Sequence, residues 1–140
     1  MTRKQWWLIS AAVAWTAFVW INRIRNAFAD DDLRGAGLVG VIVLSLSFLV
    51  LAGAVVVLAW RDRHSGAGAL LRGVVGAMTA WTTAVWLVRM FDIAFLSNQE
   101  VPFIVVHVGL GVVSIALWAL AMVNIAEGRS EQIPAPGLKC

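Results

Sequence analysis

"LVGVIVLSLSFLVLAGAVVVLAW", residues Leu38 to Trp60, runs without a single charged side chain. A helix over this stretch is about 35 Å long at about 1.5 Å per residue, and a bilayer's hydrocarbon core is about 30 Å thick. The stretch is therefore read as a transmembrane helix, and the rest of the chain can be measured against it. Three further blocks have similar length and character. They are "WWLISAAVAWTAFVWI" from Trp6, continuing to Ile24; a block from Ala67 to about residue 90; and "VPFIVVHVGLGVVSIALWALAMVNIA" from Val101 to Ala126.

Composition agrees. The 140 residues are 61% hydrophobic and 14% charged, with a mean hydropathy of +0.84. Soluble domains are nearer about 45–50% apolar and about 25% charged. Backbone groups in lipid must bond within their own segment, and no short alternating strands are present, so the blocks are predicted as helices. Short connections between them predict an all-α integral membrane protein. Its expected architecture is an antiparallel up-down-up-down four-helix bundle. One domain over 1–127 is expected, with spans at about 6–24, 38–60, 67–90 and 101–126, followed by a disordered tail over 128–140 rich in Pro and Gly.

The first block permits a second reading. Thr2-Arg3-Lys4 before an apolar run, with Ala27-Phe28-Ala29 beyond it, has the outline of a secretory signal. Arg23 and Arg25 lie between the apolar run and that cleavage-like tripeptide, which favours an uncleaved span. Lys and Arg near the span ends fall into two groups: Arg3, Lys4, Arg61, Arg63, Arg72, Arg129 and Lys139 against Arg23, Arg25, Arg34 and Arg89. The larger group is expected on the cytoplasmic side, which places both termini there. The abundance of Ala, Val, Gly and Arg suggests a high-GC bacterial genome, hence a bacterial inner membrane.

The net charge of +3 does not indicate nucleic acid, because the basic residues are scattered at the ends of apolar blocks. The single cysteine, Cys140, excludes an intramolecular disulfide and CxxC chemistry. No cofactor and no metal are expected. Asp30, Asp31 and Asp32 lack EF-hand spacing and read as a solvated acidic turn or a cap to the next helix. His64 and His107 are expected on opposite sides of the membrane, too far apart for bis-histidine haem ligation.

Polar residues within the spans are few, and they gather. In "AVWLVRMFDIAF", Ala84 to Phe95, Arg89 and Asp92 are three residues apart and share a helix face. With Thr79, Thr82 and Trp86 they form a stripe expected to face other helices rather than acyl chains. Asn22, Arg23 and Arg25 end the first span on the same expected side, and His107 lies about 9 Å into the fourth. A cluster of Asn22, Arg23, Arg25, Arg89, Asp92 and His107 is therefore predicted near the outer face, shielded by Trp20 and Trp86. It can be read as a local ion pair snorkelling to the interface, or as a site for a ligand or proton.

Small residues at four-residue spacing, Ala69, Gly73 and Ala77 on the third span and Ala36 and Gly40 on the second, are expected to form helix-packing seams. Ser45, Ser47, Thr16 and Ser114 read as helix–helix hydrogen bonders. No nucleophile–base pair or redox motif occurs, which argues against an enzyme. The expected role is a non-enzymatic subunit, assembly factor or regulator acting by helix association. The bilayer and either a homo-oligomer or a larger membrane complex are its expected partners. The alternative is a small transporter or channel with an outer-leaflet polar or anion/lipid-headgroup site.

Overall fold

A computed structural model of the protein describes residues 1–96 and 100–130. Those residues form four α-helices: α1 (Arg3–Ala29), α2 (Ala36–Arg61), α3 (Ala69–Phe91) and α4 (Val101–Ser130), with a π-helical turn, Asp92–Leu96, continuing α3. Each is long and apolar enough to cross a membrane, and no strand occurs among the described residues. The tail expected over 128–140 starts later than that, since α4 runs on to Ser130; residues 131–140, with Lys139 and Cys140, lie outside the described residues, as do residues 97–99 of the last connection.

The helix ends obey local chemistry. Thr2 caps α1: its hydroxyl accepts the Gln5 N–H at 3.2 Å, while Gln5 Oε1 accepts the Thr2 N–H at 3.0 Å. This reciprocal capping box satisfies two otherwise orphaned donors. At its other end α1 runs on through Arg23 and Arg25 to Ala29, so the connection shrinks to Asp30–Gly35. Asp30 turns the chain, its Oδ1 accepting the Asp32 N–H at 3.1 Å. Gly35, at φ +60°, precedes α2 without a side-chain cap. The acidic triplet is thus an exposed turn after α1 and does not cap α2. Pro102 falls in the first turn of α4, where its missing N–H costs nothing.

Buried positions recur every three or four residues on each helix: Ile9, Ala12, Thr16 and Trp20; Phe48, Ala52, Val55 and Ala59; Leu71, Val75, Met78 and Thr82; Ser114, Trp118, Ala121 and Ile125. That is a narrow seam, as in bundles packed at small crossing angles. At most 28% of the apolar stretch of any helix is buried. The remaining apolar surface, including Val50, Val57, Val88 and Val105, points outward.

Hydroxyls cross-link the seam. Trp118 Nε1 donates to Thr16 Oγ1 at 3.0 Å and Trp15 Nε1 to Ser114 Oγ at 2.9 Å, joining α1 to α4; Trp81 Nε1 donates to Ser47 Oγ at 3.1 Å, joining α3 to α2. Each hydroxyl sends its own hydrogen to a carbonyl of its own helix: Thr16 to Ala12, Ser114 to Leu110, Ser47 to Leu44. The lone pair left over receives the indole.

At the end of the bundle where α1 begins, the chain is tied together. Gln5 Nε2 donates to the Asn124 carbonyl of α4 at 2.9 Å, and the Met1 ammonium to the Arg63 carbonyl at 3.1 Å. Asp62, only 6% exposed, accepts the Gly68 N–H at 2.8 Å and Arg61 Nε at 3.2 Å, closing the turn between α2 and α3. The Gly68 N–H, more than the neighbouring Arg61, holds the Asp62 carboxyl below the usual carboxylate range, against the opposing effect of burial.

Candidate functional site: a cationic cavity where α1 and α3 end

The opposite end is open. A cavity of about 480 Å³ lies among the four helices there. From α1 it is lined by Phe18, Val19, Trp20, Asn22, Arg23 and Asn26; from α2 by Ala36, Gly37, Gly40, Val41 and Leu44; from α3 by Val85, Trp86 and Arg89; from α4 by His107 and Leu110. Its size falls within the roughly 300–1,000 Å³ typical of ligand pockets.

The helices shape it in different ways. The α2 residues form one face, and the lining positions of its first turns, Ala36, Gly37 and Gly40, carry nothing larger than a methyl group. A Cβ built at Gly40 would meet nothing within 4 Å. The empty space is therefore a consequence of sequence: these three residues withhold the side chains that would fill it. On the far wall Trp86 is held against α4 because Gly111 has no side chain. A Cβ at Gly111 would lie 2.8 Å from Trp86 Cε3 and 3.0 Å from Met90 Sδ. Trp20 stacks on Phe48 with ring centroids 4.0 Å apart, which fixes the floor.

Among the described residues, two guanidinium groups, one imidazole and two carboxamides line the cavity, and no carboxylate does. Arg23 makes no hydrogen bond or short ion pair among the described residues. Arg89 donates from Nη1 to Asp92 Oδ2 at 3.0 Å, with both side chains a little over two-fifths exposed. Asp92 thus holds Arg89 from outside the lining. His107 Nδ1 lies 2.9 Å from the Phe103 carbonyl and its ring 3.9 Å from that of Phe103. A carbonyl partner assigns the hydrogen to Nδ1, leaving Nε2 with the lone pair in the neutral ring. Asn22 donates to the Phe18 carbonyl at 2.7 Å.

Of the predicted cluster, then, Asn22, Arg23, Arg89 and His107 share one cavity, with Trp20 and Trp86 as walls. Asp92 stands beside it. Arg25 is exposed and outside it. His107 bonds its own helix rather than Asp92 or a neighbouring span. The small residues divide. Ala36 and Gly40 border the cavity, whereas Ala69, Gly73 and Ala77 lie off the buried seam of α3, with nothing within 4 Å of a Cβ at Gly73. Close approach between α3 and α4 occurs instead at Gly111, and at Gly76 beside Met122. Gly37, Phe18 and Gly111 do not stand out in the sequence. For Asn26 a signal is present: it lies four residues after Asn22, on the same helix face.

The chemistry open to this arrangement is recognition of negative charge next to apolar surface. No group of three or more His, Cys, Asp or Glu side chains able to hold a metal exists among the described residues. Comparison with known protein families, with characterised proteins and with solved structures finds no match.

Proposed function

We propose that this is a four-pass protein of a bacterial inner membrane, an antiparallel bundle with both termini cytoplasmic, that binds an anionic, lipid-like ligand from the outer leaflet. The reading rests on one observation: Arg23 and Arg89 both line a cavity to which, among the described residues, no carboxylate contributes. Two like charges in a low-dielectric site repel each other, and an oxyanion between them removes that cost. Trp20, Trp86 and Phe18 offer apolar surface to the rest of the ligand. Binding is favoured over passage, because the core below the cavity is filled by Phe48, Met78 and Trp118, each no more than 1% exposed, and a transporter's site normally sits at the bilayer midplane. The role is proposed as non-enzymatic on the sequence, which carries no nucleophile–base pair or redox motif.

Native mass spectrometry of the protein released from nanodiscs of mixed anionic and zwitterionic lipid tests this. One retained anionic lipid is expected on the wild type, and loss of it in Arg23→Gln and in Gly40→Phe, whose ring fills the cavity while leaving both cations in place. Retention of zwitterionic lipid alone, or equal retention by all three proteins, would defeat the proposal.

A second reading, association with another membrane helix, is favoured by the face of Ala69, Gly73 and Ala77, where a partner backbone could approach closely. Light scattering on Gly73→Leu separates the two: a drop in assembly size with lipid retention intact assigns association to this face.

A further inference from the structure

Beside its two cations, the cavity presents hydrogen-bond acceptors. Asn22 gives an N–H to the Phe18 carbonyl of its own helix at 2.7 Å, and His107 Nδ1 is paired with the Phe103 carbonyl of its own at 2.9 Å. Each side chain therefore spends a donor on backbone and keeps an acceptor: Asn22 Oδ1 and, in the neutral ring, His107 Nε2. Both residues line the cavity, and neither is buried. Asn26, about one turn nearer the end of α1 and exposed, adds the second carboxamide of the lining.

The two acceptors stand at one level. Gln5 reaches the Asn124 carbonyl and Trp15 reaches Ser114, so numbers rise along α1 as they fall along α4. Asn22 lies about two helical turns beyond Trp15, and His107 about two before Ser114. Deeper in the bundle these two helices are joined by donor–acceptor pairs. At the level of the cavity they carry two residues whose donors are turned back on their own backbones.

An ionised phosphodiester accepts hydrogen bonds and offers none. It satisfies Arg23 and Arg89 and leaves the acceptors unmet. The occupant has to bring donors as well. An ammonium is a donor, but two guanidiniums line the cavity and, among the described residues, no carboxylate does, so a third positive charge is repelled. An uncharged hydroxyl donates without that cost. Resting on the anionic-ligand reading above, we propose that the ligand's headgroup is a polyol phosphate, whose phosphate sits at Arg23 and Arg89 while its hydroxyls donate to Asn22 Oδ1 and His107 Nε2. The guanidiniums select the charge, and the acceptors select the alcohol.

The test uses the full chain in detergent micelles. It is titrated with dioleoyl phosphatidylglycerol and with dioleoyl phosphatidylmethanol, which keeps the phosphodiester charge and both chains but has no hydroxyl. Dioleoyl phosphatidylethanolamine and soluble glycerol phosphate complete the set. The glycerol lipid is expected to bind roughly threefold to tenfold more tightly than the methanol lipid, the worth of one net hydrogen bond. His107→Phe and Asn22→Leu, which each remove an acceptor and keep both cations, are expected to bring that ratio towards one. An unchanged ratio in both variants would overturn the assignment of the acceptors. Equal binding of the glycerol and methanol lipids by the wild type would overturn the proposal while leaving the anionic-ligand reading intact. The ethanolamine lipid binding as tightly as the glycerol lipid would overturn both, since the site would then take a zwitterion. Glycerol phosphate competing as well as the glycerol lipid would overturn the proposal by assigning the site to a soluble ion. Binding of neither anionic lipid would sink both. The wild-type ratio is decisive even if neither variant accumulates.

Discussion

At the end where α1 begins, Gln5, Asp62 and the Met1 ammonium each find a partner on another segment of the chain. At the end where it finishes, Asn22 and His107 turn back to their own helices, and Arg23 has no close partner among the described residues. Both ends carry polar side chains in an otherwise apolar molecule. The first uses them for closure, and the second holds them apart around a cavity. The difference teaches that charge at a helix end has no fixed meaning. A carboxylate that receives a backbone N–H and an arginine locks a turn, whereas arginines set opposite the small residues Ala36, Gly37 and Gly40 border an open space.

The contrast predicts unequal responses to mutation. The largest effect is expected at the wall between α3 and α4. Gly111→Val places a side chain on Trp86 and should lower stability by about 1–3 kcal/mol, the usual cost of overpacking. Thermal unfolding of the purified protein measures it, and an unchanged midpoint would mean that Trp86 is free to move into the cavity.

Asp62→Ala comes next. It strands the Gly68 N–H and should cost about 1–3 kcal/mol. Arg23→Gln at the other end should leave stability unchanged or raise it, since a repulsion is removed. Equal losses in the two variants would erase the distinction between the ends. The same Asp62 gives a pH signature. Its carboxyl titrates below its unfolded value, so its contribution is present in full above the unfolded pKa, about 3.9, and disappears as the pH falls through the lower folded value. Acid destabilisation in that window should be weaker in Asp62→Asn than in the wild type.

The smallest effect is expected at Asp92→Asn. The Arg89–Asp92 pair has both side chains substantially exposed, and such pairs contribute about 0–1 kcal/mol. A loss well beyond that range would show that Asp92 helps to hold the cavity's rim.

Much of the architecture is legible in the sequence. A charge-free block from Leu38 to Trp60 leaves little freedom: its backbone has to bond within itself, and length then does the rest. Adding up helix rise along each segment brings Arg89, His107 and Asn22 to one level. Which face each helix turns inward is not legible. Ala69, Gly73 and Ala77 have the spacing of a packing seam and lie away from the core, while Gly111 and Gly76, without a matching motif, take the close contacts. Small residues permit approach, but the bulky side chains opposite, here Trp86 and Met122, decide where it happens. The indole–hydroxyl pairs are half visible. Thr16, Ser47 and Ser114 stand out as hydrogen bonders, but their tryptophan partners are unmarked in sequence because pairing across helices depends on register. The Thr2–Gln5 capping box is in plain view, hidden by a competing outline, a basic start before an apolar run.

The π-helical turn at Asp92–Leu96 has a bearing on how such a chain can change over time. A turn of this kind carries about one residue more than an α-turn, so it behaves as an insertion that the helix has absorbed. Deleting one residue there would restore ordinary helical winding and rotate only the segment beyond it towards α4, with Arg89 and everything before it in place. The same deletion within Leu71–Trp86 would swing the whole buried seam of α3 to the outside. Length variation among descendants of this protein should therefore concentrate at that turn, where the rim can be reshaped without rebuilding the pocket.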